Sequence, residues 1–116
     1  TSVIVHPNNN SQLSSKDIQR IFMGKLKSFP NGIKPIAIDQ PISSDERQEF
    51  STKLLKKNHQ QIKSYWARQI FTGKGIPPKE LKTTKSVKEF VAQNENAIGY
   101  INTKLLDTTV KEVYKF

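Results

Sequence analysis

The stretch Val3–Gly32, VIVHPNNNSQLSSKDIQRIFMGKLKSFPNG, carries the alternation on which the fold turns. Ser2–His6 is a β-branched run with the length of a buried strand, and Pro7-Asn8-Asn9-Asn10 breaks it. A helix is expected over Leu13–Gly24. Ser14 suits the N-cap, Asp17 stands three residues on as its capping-box partner, and Leu13 and Ile18 have the spacing of a hydrophobic staple. Ile18, Ile21 and Phe22 share one face, and Gly24 suits a left-handed exit. Phe29-Pro30-Asn31-Gly32 is a turn, and Pro35–Asp39 reads as the next strand.

Beyond this unit the same alternation continues. A second helix opens near Ser43 or Ser44 and buries Phe50 and Leu54. A third starts at Asn58, with Ile62, Tyr65, Trp66 and Ile70 as its apolar stripe. Gly73 and Gly75 end it, and Pro77-Pro78 prevents continuation. A fourth runs from Ser86, boxed with Glu89, through Phe90 and Val91 to about Asn94. Ala97–Ile101 is a short apolar strand, and Val110–Phe116 a final edge strand. No internal repeat, low-complexity tract or domain boundary interrupts residues 1–116. The βαβα order argues for a single α/β domain, a sandwich around one mixed sheet.

Composition narrows the class. Hydrophobic residues make up 34% of the 116. No run approaches the roughly 18–20 apolar residues that a membrane-spanning helix needs. The start shows no charged-then-apolar leader, so an export signal is expected to have been removed or never present. There are no cysteines, which excludes disulfides and thiolate metal sites but leaves the compartment open. The formal net charge of +9 favours anionic partners. The lysines are nonetheless spread along the chain, so a generic solvated basic surface and a specific polyanion surface both fit.

The residue types needed for catalysis do not assemble. His6 and His59 are the only histidines, lie far apart and show no metal-ligand spacing; loop and strand-end positions explain them more simply. No serine sits in a nucleophile elbow. Gly73-Lys74-Gly75 is too short for a phosphate loop and fits a helix exit. Tyr65 and Trp66 with Arg68 would suit stacking on bases or sugars, but at helical spacing Trp66 and Ile70 read more readily as core. Enzymatic function is not expected, and no cofactor or metal is implied.

One stretch does point to a ligand. Residues 41–50, PISSDERQEF, place two serines at a helix start, where free N–H groups and the helix dipole attract an anion. Asp45 and Glu46 follow at once. Each stabilises the helix by about 0.3–1 kcal/mol while repelling a second anion. Glu46 is also placed to close a capping box with Ser43. Both an anion seat and a self-capped helix fit these residues.

Taken in order, Val3–Gly32, IAIDQPISSDERQEF, YWARQIFTGKGIPPKEL and NENAIGYI resemble the phosphate ABC-transporter substrate-binding proteins over about residues 3–101. That resemblance implies a periplasmic-binding-protein type 2-like fold, of which this chain covers one lobe. It further implies a periplasmic or envelope location, an ABC permease or other envelope protein as partner, and phosphate or a related oxyanion as ligand. The family's Ser-Gly-Thr-Arg-x-x-Phe motif matches here at Ser44, Arg47 and Phe50, with Asp45 in place of glycine and Glu46 in place of threonine. The candidate ligand residues are Ser43, Ser44 and Arg47, with Asn9 from the Asn-rich turn and Arg68 from the third helix. Because the family closes two lobes around its ligand, a homodimer or a partner lobe is one expectation. A repurposed lobe serving as an interaction or sensor module is another, and a binder of nucleic acid or acidic polymer is the less favoured third.

Overall fold

Strand β1 (Ser2–Val5) is buried along its whole length, as its β-branched run requires, because a neighbour flanks it on each side and helices cover both faces. The computed structural model describes all residues 1–116. After β1 come α1 (Ser15–Phe22), β2 (Ile36–Asp39), α2 (Asp45–Glu49), α3 (His59–Phe71), β3 (Lys79–Glu80), α4 (Thr84–Gln93), β4 (Ala97–Ile101) and β5 (Lys111–Lys115). A π-helical segment, Phe50–Leu55, continues directly from α2. The sheet order is β3-β2-β4-β1-β5. β2 lies parallel to β4 and β3, whereas β1 lies antiparallel to β4 and β5, so the sheet is mixed. No helix is long and apolar enough to cross a membrane.

Alternation along β1 and β4 divides the interior in two. Val3, Val5, Ile98 and Tyr100 face α1, the π-helical segment and α3. Ile4, Ile38, Ala97 and Ile101 face α4 through Val87 and Val91. On the first face, Tyr100 stacks on Phe50 at 4.2 Å and 8°, and Phe22 meets Phe50 edge-on at 4.7 Å. On the second, α4 comes so close that a Cβ on Gly99 would lie 2.6 Å from Val87 Cγ1.

Helix boundaries follow the expected chemistry at α1 and α3. Ser14 and Asp17 form a reciprocal capping box, and so do Asn58 and Gln61. Gly24 leaves α1 with φ of 71°, and a Cβ there would press to 3.1 Å from the Trp66 ring.

Three expectations are corrected, and one strand is added. The N-cap of α4 is Thr83, whose hydroxyl accepts the Ser86 N–H, so the helix starts before Ser86. Thr83 is in extended conformation and reaches the third N–H first. Ser43 forms no capping box with Glu46; Ser44 is the cap, and Glu46 instead lies 3.4 Å from the Ser44 hydroxyl. Ile70 does not join the core stripe but is 55% exposed, because the last turn of α3 overruns the layer beneath it. Strand β3 was not anticipated: two exposed residues carry no periodicity, and only pairing with Ile38 and Asp39 defines it.

Candidate functional site

The carboxyl end of β2 and the start of α2 form one hydrogen-bonded unit. In open α/β sheets such strand ends are where ligands gather. β2 terminates at Asp39, and Gln40 is buried behind it. Ser44 folds back through its N–H to the Pro41 carbonyl at 2.9 Å, which places its hydroxyl over the first turn of α2. That hydroxyl accepts the Arg47 N–H at 3.2 Å and donates to Gln40 Oε1 at 2.7 Å. Its one donor and one of its two acceptor positions are thus taken inside the protein.

Arg47 is held on three sides. Its Nη1 donates to the Gln40 carbonyl at 2.6 Å, its Nε lies 3.5 Å from Asp39 Oδ1, and Nη1 lies 3.6 Å from Glu80 Oε2. The arginine side chain is only 13% exposed, whereas that of Glu80 is 56% exposed and free to swing aside. Asp39 also accepts from the Gln40 N–H at 2.9 Å and from the Tyr100 hydroxyl. Burial pushes the Asp39 carboxyl above its ordinary range, against the opposing pull of Arg47, Tyr100 and Gln40. Burial, and then the neighbouring Asp39 charge, hold the Tyr100 phenol far above its usual value, so it remains the donor.

The structure brings Ser44 and Arg47 together and leaves Ser43 exposed beside them. Asn9 lies elsewhere. β1 runs antiparallel to β4, so the Asn-rich turn after Val5 sits at the end of the sheet opposite Asp39 and Tyr100. Its Oδ1 accepts the Ser11 N–H at 3.0 Å and an Asn31 amide N–H at 3.4 Å, while Asn9 Nδ2 and Ser11 Oγ are buried without a partner. Arg68 is exposed on the outer side of α3, in a shallow groove with Lys57, Asn58 and Tyr65. Sequence reasoning missed Asp39, Gln40, Glu80 and Tyr100. A carboxylate closing an otherwise apolar strand, in Ile36-Ala37-Ile38-Asp39, was the available signal.

Comparison with known proteins places this architecture. No protein-family model matches the sequence, and no curated protein matches it. Solved structures do. A protein from Clostridium perfringens, described as a phosphate ABC transporter substrate-binding protein and solved with bound phosphate, superposes with a TM-score of 0.77 at 22% identity. The match covers 97% of this chain and 43% of that one. An ABC-type phosphate transport receptor from Vibrio cholerae gives 0.74 at 16% identity, covering 97% of this chain and 44% of the receptor. PstS from Borrelia burgdorferi gives 0.62 at 17% identity, covering 86% and 39%. The fold is therefore the mixed α/β fold of these periplasmic-binding-protein structures, and the chain spans less than half the length of each.

Proposed function

We propose that this chain is a non-catalytic binding module of the substrate-binding type, taking phosphate or a related oxyanion at Ser43, Ser44 and Arg47. The observation that carries this reading is the position of Arg47. It stands at the carboxyl end of β2 beside the serine-capped start of α2, within a fold that a phosphate-bound structure shares. The seat is guarded by the protein's own carboxylates. An incoming anion takes Arg47 only when Glu80 swings away and Asp39 gives up its share of the guanidinium. The resemblance extends the proposal to a periplasmic or envelope location and to work alongside an ABC permease or other envelope protein.

A second reading is favoured by the same contacts. The Ser44 hydroxyl and the Nε and Nη1 groups of Arg47 already face partners within the chain. On this reading the lobe has kept its frame and exchanged anion capture for protein interaction or sensing.

Titration calorimetry with sulfate separates the two, because sulfate keeps its charge between about pH 7 and about pH 4.5 while carboxylates titrate. Binding that strengthens toward the acid end supports the guarded seat. A folded protein silent to millimolar sulfate and phosphate across that range leaves only the second reading.

A further inference from the structure

Folding sorts the charges that the sequence spreads out. Residues 18–38 and 50–79 contain no Asp or Glu and hold eleven of the 19 Lys and Arg residues. The remaining residues carry eight basic against ten acidic side chains, so the net charge of +9 arises wholly from these two segments. They are neighbours in space. The Tyr65 hydroxyl donates to the Met23 carbonyl at 2.6 Å, and Lys25 Nζ stands 5.7 Å over the Tyr65 ring. Every one of the eleven basic side chains is exposed.

The two most exposed hydrophobic side chains belong to the second of these segments. Phe71, the last residue of α3, is 92% exposed and Ile76, on the connection to β3, is 84% exposed, with Ile70 next to Phe71 in the last turn of the helix. Next to this projection opens an apolar groove of about 500 Å³, floored by Phe22, Ile36, Trp66 and Pro77 and rimmed by Lys27, Lys34 and Lys79. The groove lies toward the amino end of β2, away from Asp39 and Arg47 at its carboxyl end.

We propose that this side of the molecule is a peripheral binding surface for an anionic phospholipid membrane, with Phe71 and Ile76 entering the headgroup boundary and the surrounding lysines meeting lipid phosphates. Two observations select this occupant. Phe71 and Ile76 project almost free of the rest of the chain, and a lipid surface accepts a projecting side chain without a matching pocket. The two segments that supply the lysines carry no carboxylate of their own, with Glu49, 3.9 Å from Lys53, and Glu80, after Lys79, standing only at their borders, and this excess of positive charge matches the negative potential of an anionic leaflet. Nucleic acid fits less well. Its binders stack successive bases on several rings, whereas here Phe71 is the one fully exposed ring, Ile76 beside the groove has none, Trp66 is buried and the Tyr65 hydroxyl is tied to Met23. The proposal does not depend on the oxyanion seat.

The test is flotation of the full chain with vesicles of phosphatidylcholine alone or with about 30% phosphatidylglycerol, over a range of salt. Binding is expected only with phosphatidylglycerol. Phe71→Ala and Ile76→Ala, both exposed and so harmless to folding, are expected to weaken it about tenfold each. Lys74→Gln and Lys79→Gln are expected to weaken it about fivefold each. Equal binding to neutral and anionic vesicles overturns the proposal. So does binding that ignores Phe71→Ala and Ile76→Ala and is matched by heparin or duplex DNA, since that result marks a generic polyanion surface.

Discussion

Nε of Arg47 lies 3.5 Å from Oδ1 of Asp39, and both side chains are largely withdrawn from water. A buried pair of this kind strains the fold most when only one partner is removed, because the other charge is left without compensation. Arg47→Leu is therefore expected to destabilise the protein by about 3 kcal/mol in urea unfolding, and Asp39→Asn combined with Arg47→Leu by clearly less. Additive losses would show that the two side chains do not act as a pair.

The pH response of Asp39 has a definite sign. Its folded-state carboxyl titrates above the ordinary 3.8, so across the window beginning near 3.8 and extending upward the folded state holds more protons than the unfolded one. Stability linked to this residue is present in acid and is lost as pH rises through the folded value. The wild-type protein minus Asp39→Asn, compared by chemical denaturation at several pH values, should decline in relative stability from about pH 4 upward. A flat or rising difference would contradict the assigned direction.

At the start of α2, two substitutions restore what the resembled motif carries. Asp45→Gly with Glu46→Thr removes two negative charges from an anion's approach and adds a hydroxyl. Phosphate affinity is expected to rise by about tenfold or more in calorimetry, since each tenfold step needs only about 1.4 kcal/mol. No gain would mean that the pairing of Arg47 with Asp39 and Glu80, rather than repulsion from the helix start, controls the seat.

Gly99 makes a sharp packing prediction. A methyl group there collides with Val87 Cγ1, so Gly99→Ala is expected to cost about 1–3 kcal/mol. Val87→Ala removes the colliding atom, and the double variant should recover part of that loss in a thermodynamic cycle.

The cap of α4 is equally testable. Thr83→Ala is expected to lower stability by about 1 kcal/mol, while Ser86→Ala should change it by less than about 0.5 kcal/mol. The reverse ranking in thermal melts would return the helix start to Ser86.

What the sequence disclosed was local chemistry. Ser14 with Asp17, Asn58 and Gly24 each act within a few residues, so their reading survives folding. Ala97–Ile101 was equally plain, because a wholly buried strand is apolar throughout. The site was half legible. Ser44 and Arg47 are neighbours along one helix start, but Glu80 and Tyr100 reach Arg47 and Asp39 across 33 and 61 positions, which no spacing rule registers. The exposure of Ile70 was hidden for a related reason: helical periodicity names a face without saying where the layer beneath it ends. The basic side of the molecule escaped notice because the two acid-free segments are separated in sequence and meet only through α1 and α3.

The single tryptophan has a practical consequence. Trp66 touches Gly24 at the exit of α1 and lines the groove beside Ile76, so its emission samples that flank and no other. Tyr100, on β4 beside the far end of β2, is one of three tyrosines, so its phenol reports on the Asp39 charge alone once Tyr65→Phe and Tyr114→Phe are in the background. In that background one cuvette follows two regions at once, and an event at either end can be timed against the other without attaching a dye.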